Sequence, residues 1–238
     1  MIDLHTHILP HVDDGARNIE EAYKMTECLM SQNVTQAVCT PHFDPARISL
    51  EEFIEKRNKA MRLLESSPIE LITGSETMLH EYLFHYMDIK DLCISNTRYL
   101  LIELPLYKSW DMKGFQMIEK LINYYDIVPI IAHVERYQSI NIRDKVIKRL
   151  RNLGCFIQTN TSSIVGKKSR GLSMRYMKKD YIDVIGSDCH NMGLRPPVIK
   201  EAYEIVIKNM GEKYWSTLQQ NAECIVKGES IKEKTRYK

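Results

Sequence analysis

Short apolar runs recur along the chain, and between most of them lies a stretch with helical spacing. Ile2 to Leu4 predicts a first strand, and a loop broken by Pro10 and Gly15 follows. Asn18, with Glu21 three residues on, predicts a capped helix to about Gln32. Val34 to Thr40 is a second strand, and Ser49-x-x-Glu52 opens a helix to about Ser66. Ile69 to Thr73 is the third strand, before a short helix around Glu81 to Met87. Tyr99 to Leu104, Ile127 to Ala132, Cys155 to Thr159 and Ile182 to Gly186 are the remaining strands. Helices are expected at Lys113 to Tyr125, Arg143 to Leu153, near Leu172 to Lys179, and from Pro196 to Asn209, the last entered through Pro-Pro. Two short helical pieces close the pattern, and the tail from Lys227 is charged and expected to fray.

Seven strand-then-helix units imply a parallel sheet with right-handed crossovers. Polar residues of metal-ligating type stand at the C-terminal ends of nearly all these strands. They can meet only if the sheet closes, so the expected fold is α/β, a distorted (β/α)7 TIM-like barrel with its site at the strand C-termini. An open doubly wound sheet would instead gather its chemistry at one switch point. We expect one barrel domain over residues 1–227 and a flexible tail over 228–238.

The recurrent polar residues are His5 and His7, His42, Glu76, Glu103, His133, and Asp188 with His190. In a strand, residues two apart face the same way, so His5 and His7 can aim at one point. Imidazoles with carboxylates and no thiolates suit zinc, manganese or iron better than calcium or magnesium alone. The set is too large for one ion, and a carboxylate such as Glu76 can bridge two, the arrangement used for displacement at phosphorus. Glu103 lies in an apolar strand, where an unpaired carboxylate is costly. Asp14 and His11 can reach the same mouth from the first loop, while Asp13 and Asp14 also suit Asx turns. His80 and His85 fall on the short helix and read as ordinary surface or packing residues.

Composition narrows the class. A chain of 238 residues can bury a large core without disulfides. Its net charge of +2 gives no global basic field for nucleic acid. No run approaches the roughly 18 to 20 apolar residues of a membrane helix, and the start lacks the regions of a signal peptide. Six scattered cysteines fit a reducing compartment, so a cytoplasmic protein is expected.

Taken in order, His5-Thr-His7, Asp13-Asp-Gly15, Thr40-Pro-His42, Gly74-Ser-Glu76, Ile102-Glu103, Ala132-His133-Val-Glu-Arg136 and Ser187-Asp188-Cys-His190 resemble the polymerase-and-histidinol-phosphatase (PHP) superfamily of metal-dependent phosphoesterases. Leu9 to Gly15, His133 to Tyr137 and Arg195-Pro-Pro197 resemble, within it, the bacterial tyrosine-protein phosphatases of capsule and exopolysaccharide operons. His11 and Val134 stand where glycine and proline are usual in that family, departures that leave the ligand residues themselves unchanged.

The resemblance implies two or three divalent metal ions, manganese first, with iron, zinc and magnesium as alternatives. It implies a first metal on His5, His7, Glu76 and Asp188, a second on Glu76, Glu103 and His133, and a third on Asp14, His42 and His190. Arg136 would grip the phosphate with help from Arg195, and Asp14 would serve catalysis as well as metal binding. The implied substrate is phosphotyrosine on a protein, a kinase tail, with no nucleic acid and no membrane insertion; the oligomeric state is open. The alternatives are a small-molecule phosphatase such as histidinol phosphatase and a PHP-like binding module without activity.

Cys189-x5-Arg195 has the spacing of a cysteine-dependent phosphatase loop. That loop needs backbone N–H groups around the phosphate, and here Arg195 precedes Pro196-Pro197, which have none.

Overall fold

A computed structural model describes residues 1–104, 111–140 and 144–231 of the chain. The strands are β1 (Ile2–Thr6), β2 (Gln36–Cys39), β3 (His42–Phe43), β4 (Glu70–Thr73), β5 (Glu76–Met78), β6 (Tyr99–Glu103), β7 (Val128–Ile131), β8 (Phe156–Asn160) and β9 (Val184–Gly186). The helices are α1 (Ile19–Ser31), α2 (Leu50–Arg62), α3 (Met112–Tyr125), α4 (Asp144–Asn152), α5 (Thr161–Val165), α6 (Arg170–Lys178), α7 (Ile199–Met210) and α8 (Glu212–Lys227). Both capping predictions hold: Asn18 Oδ1 accepts from Glu21 N–H at 2.8 Å and Ser49 Oγ from Glu52 N–H at 3.2 Å.

Every paired strand is parallel, in two sheets ordered β1-β2-β4 and β3-β5-β6-β7-β8-β9. The second and third expected strands are β2 and β4, and each is followed by a short further strand that was not expected, β3 and β5. β2 is separated from β3 by Thr40-Pro41, where proline has no N–H for a ladder, and β4 from β5 by Gly74-Ser75. Counting β2 with β3 and β4 with β5 as one position each gives the seven expected strand positions, curled around. The ends meet where Thr6 bridges Cys189: His7 N–H donates to Cys189 C=O at 2.9 Å and Asp188 N–H to His5 C=O at 2.8 Å.

The floor of this curl is apolar. Ile2, Leu4, Val38, Tyr99, Leu101, Ile130 and Val184 form one buried cluster with Ala222 and Ile225 of α8. α8 is tied to the starts of two strands, Gln219 Oε1 accepting from Ile2 N–H at 2.7 Å and Asn221 Nδ2 donating to Asp183 C=O at 2.8 Å. A second, larger cluster fills the space between strands and surrounding helices.

Several local expectations are corrected. α7 starts at Ile199, so Pro196-Pro197 lies before the helix and not in its first turn. The two closing pieces are one helix, α8, whose C-terminus is capped by left-handed Gly228. α5, five residues directly after β8, carries no apolar period long enough to announce it. Beyond Lys227 the chain still packs: Glu229 C=O accepts from Tyr99 Oη at 2.8 Å, and Ile231 is buried. Residues 232–238 of the expected tail lie outside the described residues. No described helix is long and apolar enough to cross a membrane.

Candidate metal centre

His5 is the next-to-last residue of β1, His42 starts β3, Glu76 starts β5, Glu103 ends β6, His133 follows β7, and Asp188 and His190 follow β9. The structure brings all of them to one end of the curl, with His7 just past β1 and Asp14 in the following loop. His5 and His7 face as their spacing predicts, their Nε2 atoms 3.1 Å apart. Glu76 Oε2 lies 3.1 Å from His5 Nε2 and 3.3 Å from His7 Nε2, and Asp188 Oδ1 lies 3.5 and 3.4 Å from the same two atoms. Four atoms with these separations stand where ligands of one ion stand, since bonds of about 2.0 to 2.1 Å put neighbouring ligand atoms roughly 3.0 to 3.4 Å apart.

Glu76 turns its two oxygens to different partners. Oε2 faces His5 and His7, while Oε1 is 2.7 Å from His133 Nε2, which is in turn 3.7 Å from Glu103 Oε2. This is the disposition of a bridging carboxylate. His190 Nε2 and His42 Nε2 lie 3.3 and 3.6 Å from Asp14 Oδ1. His42 differs from expectation in one respect: its Nδ1 also lies 3.0 Å from Glu103 Oε1 and 3.2 Å from Glu76 Oε2. The ring stands between the second expected group and the third.

Orphaned atoms test whether cations fit here. His42 Nδ1 and His190 Nε2 are buried and lack a hydrogen-bond partner, although carboxylate oxygens lie within 3.0 and 3.3 Å. They are close to the oxygens but misaligned with them, as ligand atoms converging on a shared space would be. Nitrogen and oxygen donors with no thiolate suit a divalent transition metal, so the residues fit the expected ions.

Electrostatics follow from burial and crowding. Burial alone would raise the Glu76 carboxyl, but the His5 and His133 imidazoles bring it well below its usual range. Asp188 follows the same balance, burial opposed by His5 and His7, and ends far below the carboxylate range. His7 is raised well above a normal imidazole because Asp13 overrides its desolvation. His190 is lowered by burial. Asp14, at the rim, is lowered chiefly by the neighbouring His190 imidazole.

Some functional positions escaped sequence reasoning. Asp13 Oδ2 lies 2.6 Å from His7 Nδ1, accepts from His42 N–H at 2.9 Å, and so fixes which nitrogen of His7 faces the cluster. Gly186 allows β9 against β1, for a Cβ there would lie 2.4 Å from His5 Cβ. Gly15 does the same in the first loop, where a Cβ would lie 2.1 Å from His7 carbonyl oxygen. His133 and Asp188 have left-handed backbones, φ 32° and 54°, a strain typical of functional residues. Asp13 and Gly15 lie in the readable Asp-Asp-Gly run, whereas no local signal announces Gly186 or the two left-handed turns.

Both arginines reach the mouth. Arg195 Nη2 is 2.8 Å from Asp188 Oδ1, and Arg136 Nη1 is 3.3 Å from Asp188 Oδ2, with each side chain more than a third exposed. Cys189 is fully buried and burial pushes its thiol well up, opposite to the lowered thiol of a reactive cysteine. His11 is exposed and outside the cluster, and His80 caps a turn by accepting from Tyr82 N–H. His85 is also exposed.

Parallel strands curled around an apolar floor, with imidazoles and carboxylates at the opposite end, define a PHP-type barrel equipped for metal ions. The chain belongs to the family described as capsular polysaccharide synthesis, CpsB/CapC, whose profile matches residues 1–227. It is 30% identical to tyrosine-protein phosphatase CpsB of Streptococcus pneumoniae, over 90% of this chain and 92% of that one. It is 27% identical to tyrosine-protein phosphatase YwqE of Bacillus subtilis, over 97% and 93%. A solved structure of the metal-dependent tyrosine phosphatases YwqE from B. subtilis and CpsB from S. pneumoniae superposes with a TM-score of 0.85 at 26% identity, covering 99% of this chain and 98% of that chain.

Proposed function

We propose that this chain is a metal-dependent protein-tyrosine phosphatase of capsule or exopolysaccharide synthesis, acting on phosphotyrosine of a partner tyrosine kinase. The observation that carries the reading is the four-atom cage of His5, His7, Glu76 and Asp188 with Glu76 reaching on to His133. Similarity to the CpsB and YwqE phosphatases supports it. His5, His7, Glu76 and Asp188 would hold one ion, Glu76, Glu103 and His133 a second, and Asp14, His42 and His190 a third, with His42 able to serve either of the last two. When bound, divalent ions such as manganese supply Lewis acidity toward phosphate and lower the pKa of water.

The chain's own groups do the rest. Arg136 and Arg195 flank Asp188 at the mouth, and each guanidinium presents paired donors matching phosphate oxygens. They would orient the phosphoryl group and meet the charge that builds on it during transfer. Asp14, ionised and at the rim, has Oδ2 turned toward Arg195 at 4.0 Å and can accept a proton from the attacking water. Asp13 and Glu76 keep the imidazoles facing inward.

Metal analysis of purified protein, with activity on a phosphotyrosine peptide and on histidinol phosphate, tests this. Chelation should abolish peptide turnover and manganese restore it. Preference for histidinol phosphate would replace the substrate class, and activity that survives chelation but not Cys189→Ser would overturn the mechanism.

A further inference from the structure

β8 sends two buried neutral amides into the metal end of the barrel, and neither belongs to the ligand sets. Gln158 and Asn160 are two apart on the strand and face the same way. His133 N–H donates to Gln158 Oε1 at 2.5 Å. Gln158 Nε2 donates to Asn160 Oδ1 at 2.9 Å, and Asn160 Nδ2 donates to Asp188 Oδ2 at 2.7 Å. One unbroken chain of hydrogen bonds therefore runs from the backbone of one candidate ligand to the carboxylate of another.

The direction of that chain is fixed from both ends. A backbone N–H can only donate, and an ionised carboxylate can only accept. Two amides between them satisfy every atom in one orientation alone, because turning either would set oxygen against oxygen or N–H against N–H. Glu135 anchors the strand from behind, with Oε1 accepting from Asn160 N–H at 3.0 Å and Oε2 from Thr159 Oγ1 at 2.7 Å.

What the strap holds is strained. His133 and Asp188 are the two candidate ligands with left-handed backbones, a costly conformation that persists only where its surroundings impose it. Gln158 grips the strained backbone of His133 directly. Asn160 takes Asp188 Oδ2, which leaves Oδ1 to face His5 and His7. Arg136 also reaches Oδ2, at 3.3 Å, but from the mouth, where it is needed for phosphate.

We infer that Gln158 and Asn160 are positioning residues, a two-amide strap that sets His133 and Asp188 in register so that the first and second metals bind as a pair. This rests on the metal ligation proposed above. Partners that orient ligands in this way typically contribute 10- to 100-fold to metal affinity. Because the two act through one chain of bonds, their losses should not multiply.

Titration of chelator-stripped protein with Mn²⁺, followed by calorimetry, tests the strap, with the thermal midpoint of the stripped protein recorded alongside. Asn160→Ala and Gln158→Met should each lower affinity 10- to 100-fold, and the double variant should be no weaker than the worse single. Wild-type affinity in Asn160→Ala, or losses that multiply in the double variant, would overturn the strap. If Asn160→Ala does not fold, Gln158→Glu decides. It keeps the acceptor for His133 N–H and sets an oxygen against Asn160 Oδ1, so it should still lose affinity, and an unchanged affinity sinks the inference. Failure of the wild-type protein itself to bind Mn²⁺ would instead remove the metal reading on which the strap depends.

Discussion

The inner face of β6 reads Tyr99, Leu101, Glu103, and within those five residues it passes from the floor of the barrel to its mouth. At the floor, Leu101 pairs in register with Ile130 and packs beneath Leu4, Val38 and Val184 against α8. Each such side chain contributes about 1.5–3 kcal/mol by leaving water. At the mouth, five imidazoles and the carboxylates of Asp13, Glu76, Glu103 and Asp188 crowd together, mostly out of water. Burying charges costs several kcal/mol per ion unless partners offset it. The floor is stable on its own terms, whereas the mouth carries the donor set of a candidate cation site. The same strands serve both, so the two ends should respond to different insults.

The largest separation should come from Glu76→Gln. Both Glu76 oxygens are engaged, one with His5 and His7 and the other with His133. We expect metal content to fall and kcat/KM to drop at least about 10³-fold, ~4 kcal/mol of barrier, with the fold retained. Metal analysis and circular dichroism on the same preparation check it; a variant with full metal content and rate would dissolve the bridge.

Leu101→Ala is the reciprocal break. It removes buried methyl groups from the floor, in register with Glu76 on the neighbouring strand and two residues before Glu103 on the same face. A loss of about 2–5 kcal/mol of stability is expected, measured by urea unfolding of the loaded protein. Metal stoichiometry should stay at the wild-type value. Loss of metal at unchanged stability would mean that the two ends are not separable.

Arg136→Ala then divides the mouth itself. It should keep the metals and lower kcat/KM about 10²-fold, roughly 2.7 kcal/mol. Arg136→Lys should recover part of this, since a point charge cannot reproduce the planar fork. A full-rate Arg136→Ala enzyme would take the residue out of the mechanism.

The two ends also differed in how far sequence revealed them. Strand positions, the caps at Asn18 and Ser49 and the recurrent residues of ligand type were readable because each is a local pattern. The breaks between β2 and β3 and between β4 and β5 were not, although Pro41 and Gly74 mark both places. The seam between β1 and β9 was hidden as well. The β1–β2 register shifts between Asp3 and Thr6, so Leu4 packs at the floor while adjacent His5 joins the cluster above it. That shift, the close approach at Gly186 and the left-handed turns at His133 and Asp188 are imposed by strands distant in sequence. Asp13 does shape its turn, Oδ1 accepting from Gly15 N–H at 2.9 Å, but its bond to His7 was hidden because it depends on how the first loop folds back.

Acidity and alkalinity provide the finest test of the contrast. In metal-free protein, burial lowers His7, His42 and His133, but Asp13, Glu103 and Glu76 respectively raise them above the usual imidazole value. Groups raised by folding contribute stability that is fully present below the unfolded value of about 6.5 and is lost as pH climbs through the folded values. Glu76 and Asp188 are displaced the other way. Their contribution is present above the unfolded value of about 4 and is lost as pH falls through the folded ones. His190, lowered by burial, opposes folding where it must be charged and trims the benefit below about 6.5. Stripped protein should therefore be most stable in mildly acidic solution and weaken toward alkaline pH. Bound cations take the place of those protons on the imidazoles, so loaded protein should lack the alkaline decline. Leu101→Ala, which adds and removes no titrating group, should lower the stripped curve more than it moves its edges. Thermal midpoints across pH 4 to 9 for the three samples decide the matter: stability that rises steadily through the alkaline range in stripped protein would show that the mouth does not store its charge on protonated imidazoles.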